Sequence, residues 1–248
     1  SCLRLPVKRW QHFFLRFDRR PMTADLFADH TPPPGEVVTL GPSARVLRGF
    51  ALPRMDALWA ALQDVTLQAP FRHMVTPGGQ RMSVALTNCG ALGWVSDRRG
   101  YRYTPLDPDN GAPWPALPVE FLSLAHDAAA AAGFAGFVPD ACLINRYQPG
   151  ARMSLHQDRD ELDLSHPIVS VSLGVPAVFL WGGLRRADRP ERVPLFHGDV
   201  VVWGGVDRLR FHGVAPVRLS THALTGGERI NFTLRRAGNA PDPMVSSN

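Results

Sequence analysis

The sequence predicts a β-dominated α+β fold: a double-stranded β-helix, or jelly roll, backed by supporting helices. Three observations lead there. From Ala141 onward the apolar residues recur with period two, in eight short runs separated by Gly and Pro. Two stretches before Ala141 keep helical spacing instead. The 248 residues include 23 Pro and 22 Gly and no long apolar run, a composition that disfavours a helical bundle.

The elements follow in order. Residues 22–50, with Pro32-Pro33-Pro34-Gly35, read as an irregular lead-in that ends in a strand at 46–50. Pro53 suits the first turn of a helix. Met55, Leu58, Trp59, Leu62 and Val65 then make 53–68 an amphipathic helix with one apolar face. Residues 70–116 change character. Pro77-Gly78-Gly79 is a turn and 82–87 a short strand. Trp94, Tyr101, Tyr103 and Trp114 then lie among Gly, Pro, Asp and Arg, an aromatic and loop-rich insertion. A second helix over 117–132 is stopped by Gly133. Strands are expected at 141–147, 153–158, 168–173, 177–181, 193–196, 199–203, 208–213 and 229–235. This organisation gives one domain over 22–240, with the insertion at 70–116, the jelly-roll core at 141–236 and a tail at 241–248.

The net charge of +5 suggests a polyanionic partner, but its location weakens that reading. Residues 1–21 carry six basic residues and one acid, which accounts for the whole excess. They read as a basic extension ahead of a more ordinary sequence that opens at Met22. No stretch approaches ~18 consecutive apolar residues, so no membrane span is expected. Arg4, Lys8, Arg9 and Arg16 interrupt the first apolar stretch, which argues against a signal peptide. Cys2, Cys89 and Cys142 form no C-x-x-C pair, so a thiolate zinc site is not expected and a reducing cytoplasm fits.

His156 and Asp158 stand one residue apart in Ser154-Leu155-His156-Gln157-Asp158. In an extended strand such residues point to one side. One imidazole, one carboxylate and a second imidazole from elsewhere would form a facial triad. That donor set leaves three adjacent positions open on an octahedral Fe(II) for a co-substrate and oxygen. Of the other eight histidines, His197 stands in a turn between strands and His212 at a strand end, and spacing alone does not separate them. The last strand alternates: Ile230, Phe232 and Leu234 face a core, while Arg229, Asn231, Thr233 and Arg235 line the other side. That side reads as a solvated outer face or as a site for a dicarboxylate, which a guanidinium fork can grip through two bonds. Asn145 and Tyr147 share a face in the same way.

Together these motifs resemble the AlkB family of Fe(II)- and 2-oxoglutarate-dependent dioxygenases. The resemblance rests on Asn145-x-Tyr147, His156-x-Asp158, His212 and Arg229-x-Asn231-x-Thr233-x-Arg235, in that order. Met74 to Gly79, Thr87 to Gly90, Leu92-Gly93-Trp94, Ile168 to Gly174 and His197 to Gly205 add to it, as does the stretch from Met22 to Asp29. It runs from about Met22 to Gly238 and leaves residues 1–21 without a counterpart.

The resemblance implies Fe(II) as metal, with 2-oxoglutarate and O2 as co-substrates. It makes His212 the third ligand. It places Arg235 on the distal carboxylate of 2-oxoglutarate, with Asn145, Arg146, Tyr147 and the strand Arg229, Ile230, Asn231, Phe232, Thr233 and Leu234 completing that pocket. It makes the insertion a nucleotide-recognition lid. There Trp94 stacks on a flipped base, Tyr101, Arg102 and Tyr103 contact the substrate backbone, and Asp160, Arg186, Thr76 and Met82 also meet the substrate. Gln80 stands where relatives can carry Tyr, a departure from the pattern. The implied activity is oxidative demethylation of 1-methyladenine and 3-methylcytosine in single-stranded DNA by a monomer, with formaldehyde released and RNA or duplex DNA as further substrates. The competing readings are a 2-oxoglutarate oxygenase acting on a protein or small molecule, and a non-catalytic nucleic-acid binder.

Overall fold

The computed structural model describes residues 31–238. The basic stretch 1–21, the Met22–Asp29 motif and the 241–248 tail lie outside the described residues. The helix expected from Pro53 divides in two. Leu52–Arg54 is a 3-10 turn, and α1 runs Met55–Gln68. The second helix, α2, is Val119–Ala131, with Pro118 capping it and Gly133 beyond its end at φ 95°.

Thirteen strands are named in chain order: β1 (Val37–Gly41), β2 (Ala44–Leu47), β3 (Ala85–Gly90), β4 (Gly93–Asp97), β5 (Gly100–Thr104), β6 (Ala141–Tyr147), β7 (Met153–His156), β8 (Ile168–Gly174), β9 (Ala177–Trp181), β10 (Glu191–Leu195), β11 (Val200–Trp203), β12 (His212–Val214) and β13 (Arg229–Arg235). Two packed sheets form the jelly roll. The larger has the order β1-β2-β11-β8-β13-β6-β3, and the smaller β10-β9-β12-β7. A separate two-stranded hairpin joins β4 to β5.

Several boundaries correct the sequence reading. The lead-in contains a strand, β1, and the strand expected at 46–50 is β2 at Ala44–Leu47. The strand expected at 208–213 shrinks to β12, because Gly205–Asp207 turns as a 3-10 helix. The insertion is not merely loops. β3 joins the large sheet beside β6, with Cys89 opposite Cys142, and Trp94 and Tyr103 face each other across the β4–β5 hairpin. Among the described residues no helix is long and apolar enough to cross a membrane.

Both faces of the large sheet are covered. On the outer face Ile230, Phe232 and Leu234 join Val169, Val171, Leu173, Val200 and Val202 against Leu58, Leu62 and Val65 of α1 and Phe121 and Leu124 of α2. On the inner face Val46, Val201 and Trp203 meet Phe179, Trp181, Val193 and Leu195 of the small sheet. Every residue of β13 is buried, its four polar ones included. The alternation read from the sequence therefore holds, but its polar side points into the jelly roll and not to solvent. Gly174 ends β8 opposite Arg229 at φ +84°, where a Cβ would collide with Thr225 and the Glu228 carbonyl. A side chain there would be strained and would push on the strand that presents Arg229.

Candidate active site

The triad is assembled by sheet register. β12 pairs antiparallel with β7 so that His212 lies directly opposite His156, with ring centroids 4.4 Å apart. β7 stops at His156, so Asp158 lies just past the strand. Its carboxylate still turns to the same point: Oδ1 is 3.5 Å from His156 Nε2 and Oδ2 is 3.7 Å from His212 Nε2. Among the described residues these three form the group of His, Cys, Asp and Glu able to hold a metal, with donor atoms within 4.8 Å of one another.

Each imidazole is oriented by its other nitrogen. His156 Nδ1 lies 2.8 Å from the Ser154 carbonyl, and His212 Nδ1 lies 3.0 Å from the Arg210 carbonyl. A carbonyl only accepts, so each Nδ1 carries the proton and each Nε2 offers its lone pair inward. Burial, then the neighbouring His156 ring, push His212 down from 6.5 to about 4, which keeps it a neutral ligand at pH 7. Burial opposes ionisation of Asp158, yet Arg235 and then His212 hold its carboxyl well below the usual range.

The triad sits in a cavity of about 670 Å³ between the two sheets. Asn145, Tyr147, Arg229, Asn231, Thr233 and Arg235 line it from the large sheet. Register explains their grouping, since Arg229 faces Tyr147 and Asn231 faces Asn145 across β13 and β6. Thr76, Met82, Trp94, Tyr101, Tyr103, Asp160 and Arg186 line the side toward the hairpin, as does Gln80.

Five expected site residues do not line the cavity. Ile230, Phe232 and Leu234 point to the helices, because they alternate with the inward residues of β13. Arg146 alternates with Asn145 and Tyr147 and lies over the Phe71 ring at 4.8 Å. Arg102 lies between Tyr101 and Tyr103 and pairs with Asp97 at 2.7 Å on the opposite side of the hairpin.

Arg235, expected on the distal carboxylate of 2-oxoglutarate, meets an internal partner. Its Nη2 and Nε donate to Asp158 Oδ2 at 2.6 and 3.0 Å, so its fork is engaged by the carboxylate of the triad. Arg229 is the guanidinium with free capacity. It is 2% exposed, donates through Nη2 to Ser172 at 2.9 Å, and lies over the Tyr147 ring at 5.2 Å. Its Nε and Nη1 are buried without a partner, and so is Asn145 Oδ1. A buried cation with no acidic partner among the described residues is stable only if an anion completes it.

Sequence reasoning missed Glu161, Arg208 and Trp203. Trp203 lies edge-on to His212 with centroids 4.9 Å apart. Glu161 and Arg208 lie in irregular segments, which carry no periodicity to mark them.

A profile of the 2OG-Fe(II) oxygenase superfamily matches residues 43–235, the span that contains the triad and every strand of the two sheets except β1. Over 213 residues the chain is 58% identical to the alpha-ketoglutarate-dependent dioxygenase AlkB of Salmonella typhimurium, covering 86% of this chain and 97% of that one. The chain belongs to the AlkB family of 2OG-Fe(II) oxygenases. A further AlkB-family relative, named DNA N(6)-methyladenine demethylase ALKBH1D, from Arabidopsis thaliana, is 41% identical over 108 residues, 39% of this chain and 24% of its own length. The solved structure of OsALKBH1 superposes with a TM-score of 0.72 at 28% identity, covering 81% of this chain and all of that one. As an AlkB-family dioxygenase the protein uses Fe(II), 2-oxoglutarate and O2. The residues fit these groups: two imidazoles and a carboxylate converge on one point, and Arg229 presents N–H groups without a partner among the described residues in the same cavity.

The turn histidine has a different task. His197 Nδ1 accepts the Gly174 N–H at 3.0 Å, and its ring lies 4.3 Å from His222. Burial, then the His222 ring, lower it from 6.5 to about 4. The folded value lies below the unfolded one. The stability tied to neutral His197 is therefore full above about pH 6.5 and is lost as pH falls toward 4. His197→Asn keeps an acceptor and takes up no proton. It should reduce the slope of Tm against pH in that window, with His222, itself lowered by burial, supplying the remainder. An unchanged slope would exclude His197 as a source.

Proposed function

We propose that this enzyme is a nucleic-acid repair dioxygenase that oxidatively removes N-linked alkyl groups from 1-methyladenine and 3-methylcytosine, single-stranded DNA being the principal substrate and RNA a second. The observation that carries the reading is an anionic, aromatic mouth beside the triad. Trp94 Nε1 donates to Asp160 Oδ2 at 2.9 Å, and Tyr101 stacks on the Trp94 ring at 5.5 Å with planes 14° apart. Trp94 is thus braced by Tyr101 and lines the cavity that holds the triad, where a planar guest would meet it. The target bases are cations, which an indole face and a carboxylate both attract. Alkylation blocks pairing, so extruding such a base costs less than extruding an intact one. The name of the Arabidopsis relative, a DNA demethylase, supports the same substrate class.

The residues divide the work. His156, Asp158 and His212 would hold Fe(II). Arg229, Tyr147 and Asn145 would hold the distal carboxylate of 2-oxoglutarate, and Asn231 is fixed for that pocket by Ser170 and the Val171 carbonyl at 2.8 and 3.0 Å. Arg235 holds Asp158 so that Oδ1 stays turned toward His156. When bound, Fe(II) and 2-oxoglutarate supply the oxygen activation that hydroxylates the N-alkyl carbon. Trp94, Tyr101 and Asp160 would hold the base, and Arg186, which lines the cavity with its guanidinium 5.8 Å over Phe211, would meet the substrate beside them. The free buried thiols of Cys89 and Cys142 fit a reducing cytoplasm.

Incubating a 1-methyladenine oligonucleotide with the protein, Fe(II), ascorbate and 2-oxoglutarate should remove about 14 Da, one methylene, by mass spectrometry. An unchanged mass alongside consumption of 2-oxoglutarate on a peptide panel would favour the protein-directed alternative. Selectivity gives a sharper test. Asp160→Asn still accepts the Trp94 N–H but loses the charge. It should narrow the gap in kcat/KM between cationic 3-methylcytosine and neutral 1-methylguanine, chiefly by slowing the former. Equal losses on both lesions in one oligonucleotide would remove Asp160 from base recognition.

A further inference from the structure

Glu161 belongs neither to the triad nor to the lining of Arg229, yet its side chain is only 2% exposed. Three groups from distant parts of the chain meet on it. Tyr103 of the hairpin donates its hydroxyl to Oε1 at 2.8 Å. Arg208 donates to Oε2 at 3.0 Å, and through its Nη1 to the Asp158 carbonyl at 2.6 Å. Arg235 Nε lies 3.4 Å from Oε1 while its fork holds Asp158. Two guanidiniums and two carboxylates are therefore buried together with charges balanced, and a hairpin hydroxyl is attached to the set.

We propose that Glu161 is a positioning residue that couples the β4–β5 hairpin to Asp158: it receives Tyr103 on one oxygen and sets how fully Arg235 is committed to Asp158. This deepens the dioxygenase reading above and rests on it. The argument is one of competition. Oε1 is shared by the Tyr103 hydroxyl and Arg235. With Tyr103 in place, Oε1 is largely satisfied, and Arg235 stays on Asp158 Oδ2 at 2.6 Å, leaving Oδ1 for the metal. If the hairpin withdraws, Oε1 loses its donor and draws Arg235 toward itself. Asp158 then loses the partner that fixes its orientation. Burial, partly offset by Arg235, keeps the Tyr103 hydroxyl protonated far above neutral pH, so it remains a donor throughout the working range. A base held between Trp94 and the triad would hold the hairpin in, and so would favour the metal-ready Asp158.

Co(II) serves as the probe, followed by its visible absorption in the full-length protein. Tyr103→Phe removes one hydroxyl and should weaken Co(II) binding by about 3- to 10-fold, less than a direct partner of a metal ligand would. Glu161→Gln ends the competition for Arg235 but leaves two buried cations facing one carboxylate, so repulsion of the metal dication by the uncompensated charge should weaken Co(II) binding by about 10-fold or more. Because both act through one contact, the double variant should bind no worse than Glu161→Gln alone. Arg102→Gln breaks only the Asp97 pair on the other side of the hairpin and should bind Co(II) as the wild type does. In hydrogen exchange, Co(II) should slow amides of Gly93–Thr104 in the wild type but not in Tyr103→Phe. That readout decides the matter if Glu161→Gln does not fold. Wild-type Co(II) affinity in Tyr103→Phe, losses that multiply in the double variant, or an equal loss in Arg102→Gln would each overturn the coupling. A wild type that fails to demethylate the oligonucleotide while these cobalt results hold would remove the substrate reading and leave the coupling standing.

Discussion

His212→Ala is expected to abolish turnover and to weaken Fe(II) or Co(II) binding by more than about 100-fold, since even outer partners of metal ligands are worth 10- to 100-fold. His212 is one of three donors, lies opposite His156 in register, and is 5% exposed, so nothing nearby substitutes for it. His197→Ala is the matched control. It removes an acceptor for Gly174 N–H and no donor atom of the triad, and should lower Tm while leaving metal affinity within about twofold of wild type. Calorimetric titration of both apoproteins with Co(II) separates the two. Metal loss in the His197 variant and retention in the His212 variant would reverse the ligand assignment.

Arg229→Lys should raise the 2-oxoglutarate KM by about tenfold or more, equivalent to about 1.4 kcal/mol, with a smaller change in kcat at saturating co-substrate. Lysine keeps the charge but presents one ammonium where the fork has two unpaired N–H groups. Arg235→Lys should act differently. Its fork is on Asp158, so the loss should appear as weaker metal binding and lower kcat. Steady-state kinetics over a 2-oxoglutarate series, run beside metal titrations, distinguishes the two arginines. A KM that rises in the Arg235 variant and not in the Arg229 variant would restore the opposite assignment.

The polar set Arg229, Asn231, Thr233 and Arg235 was legible as a set, because a strand alternates with period two whatever surrounds it. The same rule shows why Arg102, Arg146, Ile230, Phe232 and Leu234 stand apart: each alternates with a neighbour that faces the cavity. Helix and strand types were legible from periodicity, and boundaries shifted where Pro53 and Gly205 set short 3-10 turns. The hairpin was hidden because β4 and β5 mix Gly, Arg and Asp with aromatics, so no clean alternation marks them.

By itself, then, the sequence determined the element types, the same-face pairs on each strand, the H-x-D motif and the family resemblance, since all of these depend on order along the chain. Tertiary structure decided three further things. It turned the polar face of β13 inward, because the helices cover the apolar face and the small sheet closes over the other. It brought His212 rather than His197 to the triad by geometry, through the pairing of β12 with β7. It gave Arg235 to Asp158 and left Arg229 without an acidic partner among the described residues, and it gathered Glu161, Arg208 and Tyr103 around the Arg235–Asp158 pair. Partners across a sheet are fixed by register between strands far apart in sequence, and periodicity within one strand carries no information about which strand will lie beside it.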